Sequence, residues 1–228
     1  MEIKEIAHIE NNFKSKFGIP RQAGLAEEIE SRIVFENEFK NPDALRGLEG
    51  FSHIWLIWGF NLNEQKQGKW DATVRPPRLG GNRRIGVFAS RSPNRPNPIG
   101  LSCVKIKNID LKNVEISVLG ADLADGTPIY DIKPYVPYAD SVKSATGGFA
   151  SDAPQTLAVE FTSDELKEKA ERLLSPAELS ALKEILSLDP RPAYQDDPKR
   201  IYGFTYSDCN IRFMVHDKCI YITEIINV

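Results

Sequence analysis

The chain of 228 residues has little cysteine, little histidine and no long apolar run. Cys103, Cys209 and Cys219 are an odd number in a mid-sized chain, so a disulfide scaffold is a poor reading and reduced thiols fit better. No stretch approaches the roughly 20 apolar residues of a spanning helix, and no basic start leads into an apolar signal core. A cytosolic protein away from membranes is expected. Cys209, His216 and Cys219 match no standard zinc spacing and lack an evident fourth ligand, so no metal is expected. The sequence also has no GxSxG elbow, no GxxxxGK[ST] loop, no HExxH and no GxGxxG, which removes the commonest hydrolase, nucleotide-binding, metalloprotease and dinucleotide templates.

Acidic residues are missing from one long stretch. None lies between Asp71 and Asp110, while Arg75, Arg78, Arg83, Arg84, Arg91, Arg95, Lys105 and Lys107 fall there. The chain as a whole carries a net charge of -3. That sum argues against broad, sequence-blind nucleic-acid binding, but the block makes a local positive field suited to a polyanion or phosphate-bearing ligand. The alternative is a solvated surface paired with acids elsewhere in the fold.

Within this block, "VFASRSPNRPNPIGLS" carries three prolines, Pro93, Pro96 and Pro98, and two arginines, Arg91 and Arg95. Each proline fixes its own φ and pushes the preceding residue towards extended conformations, so the loop is stiff before anything binds it. A rigid loop loses less entropy on binding and holds its charged groups in place.

The remaining pattern is mostly β. Alternating or β-rich segments recur at "EIKEIAHIE", "SRIVFEN", "SHIWLIWGF", "RIGVFAS", "LSCVKIKNI", "VEISVLGADL" and "TPIYDIKPYV". Seven short strands before residue 140 predict an all-β barrel or sandwich, with a hairpin turn at "DLKN" and one short helix in "NPDALRGLEG". After a small, polar, glycine-rich linker from Lys143 to Gln155, the chain reads as a strand, two helices and a three-stranded meander. Ser175, Pro176 and Glu178 form a helix-start signature. A barrel over 1–145 and a small α+β subdomain over 155–228 are expected.

Two irregular segments offer chemistry. "GADLADGTPIYDIKPYVPYAD" places Asp122, Asp125, Asp131 and Asp140 after a strand, among glycines that permit close backbone approach. Carboxylates so placed suit a hydroxylated or cationic ligand, and equally they are turn formers. In "KFGIPRQAGL", Arg21 and Gln22 follow a proline without helix or strand periodicity. They could read a base edge or tie loops together. Of the three histidines, His53 precedes the aromatic strand and could face a pocket, although a lone histidine is more often structural.

"IPRQAGL", "FSHIWLIWGF", "VRPPRLGG", "GVFASRSPNRPNPIGLS", "DGTPIYDIKPYVPYAD" and "DPRPAY" occur in the order found in TsaA-like proteins, and most of the chain resembles that family. The resemblance implies a mainly β, single-sheet barrel, a homodimer, and S-adenosylmethionine as cofactor. It implies N6-methylation of the threonylcarbamoyl-modified adenosine next to the anticodon of tRNA. Position by position it implies cofactor contacts at Pro20, Arg21 and Gln22, at His53 and Ile54, at Arg91 and Leu101, and at Ala121, Asp122, Leu123 and Ala124, with Asp125 and Thr127 adjoining. Asp122, Asp125 or a backbone carbonyl would take the acceptor's proton. Tyr130, Tyr135 or Tyr138 would hold the base, Arg75, Arg78, Arg83 and Arg84 would meet tRNA phosphates, and the C-terminal subdomain would help to seat the tRNA. The chain departs from the family pattern at Asn94, where an aromatic residue is more usual, and at Gly59, where a bulkier one is.

Overall fold

The computed structural model describes residues 2–62, 70–191, 195 and 197–228, so the last three residues of "DPRPAY" lie outside the described residues. The first part of the chain contains β1 (Ala7–Glu10), β2 (Glu30–Phe35), β3 (His53–Gly59), β4 (Thr73–Val74), β5 (Ile85–Gly86), β6 (Ile99–Asp110), β7 (Glu115–Leu119) and β8 (Pro128–Pro134). A four-residue helix α1 (Pro137–Asp140) follows. Six of these strands close into an antiparallel barrel in the order β1-β2-β7-β6-β3-β8. Closure leaves no open edge within the barrel.

The alternation in "HIWLIWG" explains β3. Ile54, Leu56 and Trp58 point inward and are buried, while Trp55 and Ile57 face outward and are half-buried. The "DLKN" turn joins β6 to β7, where Asp110 Oδ1 accepts from the backbone N–H groups of Lys112 at 2.9 Å and Asn113 at 3.0 Å. Two expectations need correction. In "RIGVFAS" only Ile85 and Gly86 pair, and they pair with β4, because Val87–Ala89 closes a 3-10 turn through Ser90 N to Val87 O at 3.1 Å. "NPDALRGLEG" is two 3-10 turns, Pro42–Leu45 and Leu48–Gly50, separated at Gly47, whose φ is 88°.

Beyond the linker come β9 (Ala158–Phe161), α2 (Asp164–Leu173), α3 (Pro176–Ser187), β10 (Tyr202–Tyr206), β11 (Cys209–His216) and β12 (Cys219–Asn227). The three meander strands are antiparallel, and β9 adds in parallel to β12. Helix α3 starts on a full capping box, with Glu178 N donating to Ser175 Oγ and Ser175 N to Glu178 Oε2. Cys209 and His216 stand at opposite ends of β11, about 23 Å apart at strand spacing, so they share no metal with Cys219.

The described residues form two cores. Ile9, Ile33, Ile54, Leu56, Ile116 and Ile129 fill the barrel. The second core belongs to the C-terminal subdomain, yet Phe13, Ala26 and Ile29 are members of it, with Phe17 and Ile19 packed against it. The segment between β1 and β2 therefore leaves the barrel and completes the subdomain's core. Gly18, at φ 94°, permits this approach: a Cβ there would fall 2.7 Å from the Phe204 ring.

Candidate functional site

Four stretches that are distant in sequence meet in a cleft of about 350 Å³ at one end of the barrel. Pro20, Arg21 and Gln22 come from the segment that packs on the subdomain, and Trp58 and Phe60 from the end of β3. Ser90, Arg91 and Arg95 come from the proline-rich loop, which runs into Ile99, Gly100 and Leu101 at the start of β6. Asp122, just after β7, completes the lining.

The proline-rich loop is bonded to itself. Arg95 Nη1 donates to Ser90 O at 2.9 Å and Ser92 O at 3.3 Å, and Ser90 Oγ donates to Val87 O at 2.8 Å. Arg95 is thus a strut of the loop. Arg91 is exposed and donates across the cleft to Gln22 Oε1, while Gln22 Nε2 donates to Arg21 O. Arg21 in turn donates to the backbone oxygen of Arg191 at 3.2 Å, tying the cleft wall to the C-terminal subdomain.

Opposite them runs a short relay. Trp58 Nε1 donates to Ser102 Oγ at 2.9 Å, and Ser102 Oγ donates to Asp122 Oδ1 at 2.5 Å. Burial pushes the Asp122 carboxyl above the usual range, and the Ser102 bond and the nearby Arg91 charge only partly oppose this. Asp122 is placed by Gly120, at φ 76°, which accepts from Gly24 N at 2.9 Å and has room for no side chain larger than hydrogen without crowding Gly24. Ala121, Leu123 and Ala124 are buried behind Asp122 and contribute wall and backbone.

Of the expected cofactor positions, the structure gathers Pro20, Arg21, Gln22, Arg91, Leu101 and Asp122 around one cleft. It does not bring His53 or Ile54 there. They begin β3, about 13–17 Å along the strand from Trp58; Ile54 is fully buried in the barrel, and His53 bonds Ser52 Oγ at 2.9 Å. Asp125 also faces away. It accepts from Asn11 N at 2.9 Å and Lys14 Nζ at 2.7 Å, in a separate hollow beside Glu10 and Arg32. Thr127 is buried and donates to Asn61 Oδ1 at 3.2 Å.

Tyr130 alone of the three tyrosines lies near the cleft end of β3, since a Cβ on Gly59 would fall 2.8 Å from its Cζ. Its phenol occupies the space that a bulkier residue at position 59 would take. Tyr135 packs on Trp55, 5.8 Å between ring centroids, and Tyr138 is 92% exposed on α1, both towards the other end of β3. Trp58, Phe60, Ser90 and Ser102 were not singled out from sequence. The inward alternation of β3 and the position of Ser102 two residues beyond Gly100 carried the signal.

The basic block is exposed at Arg75, Arg78, Arg83 and Arg84, and no carboxylate among the described residues pairs with any of the four. Arg84 donates to Thr73 Oγ1 at 2.9 Å and Arg78 to the backbone oxygen of Asp152. Among the described residues, one group of metal-ligand type occurs, Glu5, His8 and Glu36, away from the cleft. No helix of the described residues is long and apolar enough to cross a membrane.

The cleft's donor set suits an S-adenosylmethionine-like molecule. Its volume lies at the low end of the roughly 300–1,000 Å³ of small-ligand sites. The guanidinium groups of Arg21 and Arg91 match a carboxylate, and Asp122 matches an ammonium or hydroxyl. Phe60, half-buried and packed on the buried Trp58 with 4.4 Å between centroids, offers an aromatic wall to a purine or a sulfonium cation.

Comparison with known proteins agrees over nearly the whole chain. The model of the tRNA-methyltransferase O N-terminal domain matches residues 8–141, and that of the TrmO C-terminal domain matches residues 154–228. The tRNA (adenine(37)-N6)-methyltransferase of Escherichia coli K12 is 41% identical over 222 residues, covering 95% of this chain and 94% of its own. A Pseudomonas aeruginosa relative named as a candidate S-adenosylmethionine-dependent methyltransferase is 42% identical, with 92% and 91% covered. A crystal structure of TrmO from Pseudomonas aeruginosa superposes with a TM-score of 0.80 at 31% identity, covering 100% of this chain and 98% of that one.

Proposed function

The chain belongs to the TrmO family of tRNA methyltransferases, and from that premise we propose that it methylates N6 of a threonylcarbamoyl-modified adenosine next to the anticodon of tRNA, in the cytoplasm. It is an S-adenosylmethionine-dependent enzyme. The observation that carries this reading is the meeting of Arg91, Trp58 and Asp122 in one cleft. These three residues offer an anion clamp, an aromatic wall and a proton acceptor.

The bound cofactor supplies a sulfonium methyl that is already activated for displacement. The protein's work is therefore to position and to accept a proton. Arg91, held by Gln22, and Arg21, held by Arg191, orient the cofactor's carboxylate. The adenine N6 is weakly nucleophilic because its lone pair is delocalised into the ring. Asp122, whose pKa burial raises, would take the N6 proton released when the methyl passes to N6 and its bond to the cofactor sulfur breaks, leaving a neutral thioether. Ser102 keeps the receiving carboxylate in place. An unpaired anticodon-loop base reaches the cleft without the cost of opening a duplex, and Tyr130 at its edge can pack on it.

The active form we infer is a homodimer. Leu101, 56% exposed, and Ile99 lie on the cleft rim beside the half-buried outward residues Trp55 and Ile57, a surface suited to a second copy. Residues from 155 onward would then help to seat the tRNA, since the subdomain reaches the cleft through Arg191. The test is a methylation assay on bulk tRNA prepared with and without the threonylcarbamoyl group. Turnover confined to the modified tRNA is expected. Cofactor binding without turnover would assign a non-catalytic binding protein, and turnover independent of tRNA would assign another acceptor.

A further inference from the structure

The small sheet of β4 and β5 carries two large aromatic side chains that fill no core. Trp70 precedes β4 and Phe88 follows β5, and their rings stack with 5.9 Å between centroids and 26° between planes. Phe88 is 72% exposed and Trp70 46%. Such exposure is not explained by folding, because rings that stay in water contribute little burial.

The sheet also fixes what stands beside them. Thr73 pairs with Gly86 and Val74 with Ile85, and Val87 N to Ala72 O, 3.0 Å, extends the ladder towards the aromatic end. Arg75 and Arg84 emerge at the other end, with Arg83 next to them. Arg84 is held by Thr73, and no carboxylate among the described residues pairs with the three. Phe88 stands four positions beyond Arg84, a span of at most about 13 Å. On the other side, Phe88 is two residues from Ser90, which lines the cleft.

We propose that Trp70 and Phe88 form a stacking platform for one unpaired base of the RNA substrate, a base flanking the acceptor, while Arg75, Arg83 and Arg84 take the adjoining phosphates. The inference rests on the tRNA reading and adds to it the residues that grip a neighbouring nucleotide. Exposed aromatic faces at one end of a small sheet, with guanidinium groups at the other that no carboxylate among the described residues pairs with, are what single-stranded RNA requires, since every base has a π-face and every linkage a charge. The arginines on the same sheet favour this occupant over a second copy of the protein, which would bring the same arginines to this surface.

The test compares the full-length protein with Phe88→Ala and Phe88→Tyr on threonylcarbamoyl-bearing tRNA. Loss of the ring is expected to raise the tRNA KM and Kd by roughly five- to hundredfold. The kcat at saturating tRNA and the S-adenosylmethionine affinity by calorimetry stay unchanged, and Phe88→Tyr restores binding. The slope of log affinity against log salt is also expected to stay the same, because no phosphate contact is lost. Wild-type tRNA affinity in Phe88→Ala would overturn the platform while leaving the substrate reading intact. A wild-type protein that neither binds nor methylates tRNA would remove both. Conversion of a dimer to a monomer by Phe88→Ala, seen in sedimentation, would instead assign the pair to a protein interface and overturn the proposal.

Discussion

Gly100 lies directly against the indole of Trp58: a Cβ built on it would fall 2.6 Å from Trp58 Cδ2. The two residues face each other in the β3–β6 register, and only hydrogen at position 100 lets the ring lie over the strand and turn its Nε1 to Ser102. Gly100→Ala is therefore expected to push the indole into the cleft and break the 2.9 Å bond to Ser102. Cofactor affinity should fall at least about tenfold, and overpacking should lower stability by about 1–3 kcal/mol. Calorimetry and thermal unfolding read both; unchanged values in both would remove the close packing from the account of the site.

Asp122 gives the pH dependence a sign. Burial raises its pKa above the ordinary carboxylate range. Proton acceptance needs the ionised form, so kcat should fall as pH drops through that raised value. Ser102→Ala removes a bond that favours the carboxylate, so it should move the acid limb to higher pH, while Asp122→Asn should abolish it and most of the turnover. The same group affects folding: its protonated form fits the folded state, and that contribution is lost as pH rises through the folded value. Asp122→Asn should accordingly unfold at a higher temperature than wild type near neutral pH and match it in strong acid. A pH–rate profile unaltered by both substitutions would assign the proton to another acceptor.

Much of the barrel was legible because its signal is local. Inward Ile54, Leu56 and Trp58 alternate with outward Trp55 and Ile57, and "DLKN" carries its own turn chemistry through Asp110. Failures occurred where tertiary bonds outweigh pattern. "RIGVFAS" alternates like a strand, yet the chain turns at Val87 once its N–H bonds Ala72. Phe13 and Ile29 look like barrel residues by position, but they complete a core some 150 residues onward, which no local periodicity reports. In the cleft, Arg91 and Asp122 were marked by a rigid loop and a strand-end carboxylate. His53 lies at the other end of β3 and Asp125 on the other side of a turn, so spacing along the chain alone does not tell which of them reaches the cleft.

Arg91 and Arg84 lie in the same basic block but should do different work. Arg91 spans the cleft to Gln22, whereas Arg84 rests on Thr73 in the outer sheet. A hydrogen bond to a charged group contributes about 1.5–3 kcal/mol, so Arg91→Ala should weaken S-adenosylmethionine binding by roughly tenfold to a hundredfold. Arg84→Ala should leave it unchanged. Titration calorimetry on each variant decides the matter, and equal affinities would dissociate Arg91 from the cofactor.

Removing everything after Gln155 should do more than unseat tRNA. It would bare Phe13, Phe17, Ile19, Ala26 and Ile29, whose partners are in the lost subdomain, and it would free Arg21 from Arg191. The barrel core of Ile33, Ile54, Leu56 and Ile116 stays intact. The shortened protein should keep a β-type circular dichroism spectrum while losing cofactor binding along with methylation. Retained cofactor affinity would mean that Pro20 to Gln22 hold their shape without the subdomain.

The basic block yields the measurement most independent of the cofactor site. Arg83 and Arg84 are exposed and have no carboxylate partner among the described residues, so their charge is available to a polyanion. Each phosphate they neutralise releases counterions, and tRNA affinity should fall by roughly 0.7 to 0.9 log units per contact for each tenfold rise in salt. Replacing both with alanine should flatten that slope by about 1 to 2 units. Cofactor affinity should not change, because neither residue lines the cleft. This separates charge from stacking on the same sheet: the arginine variants change the slope, whereas Phe88→Ala shifts affinity equally at every salt concentration. A double arginine variant with the wild-type slope would place the phosphates elsewhere and return these side chains to the solvated surface.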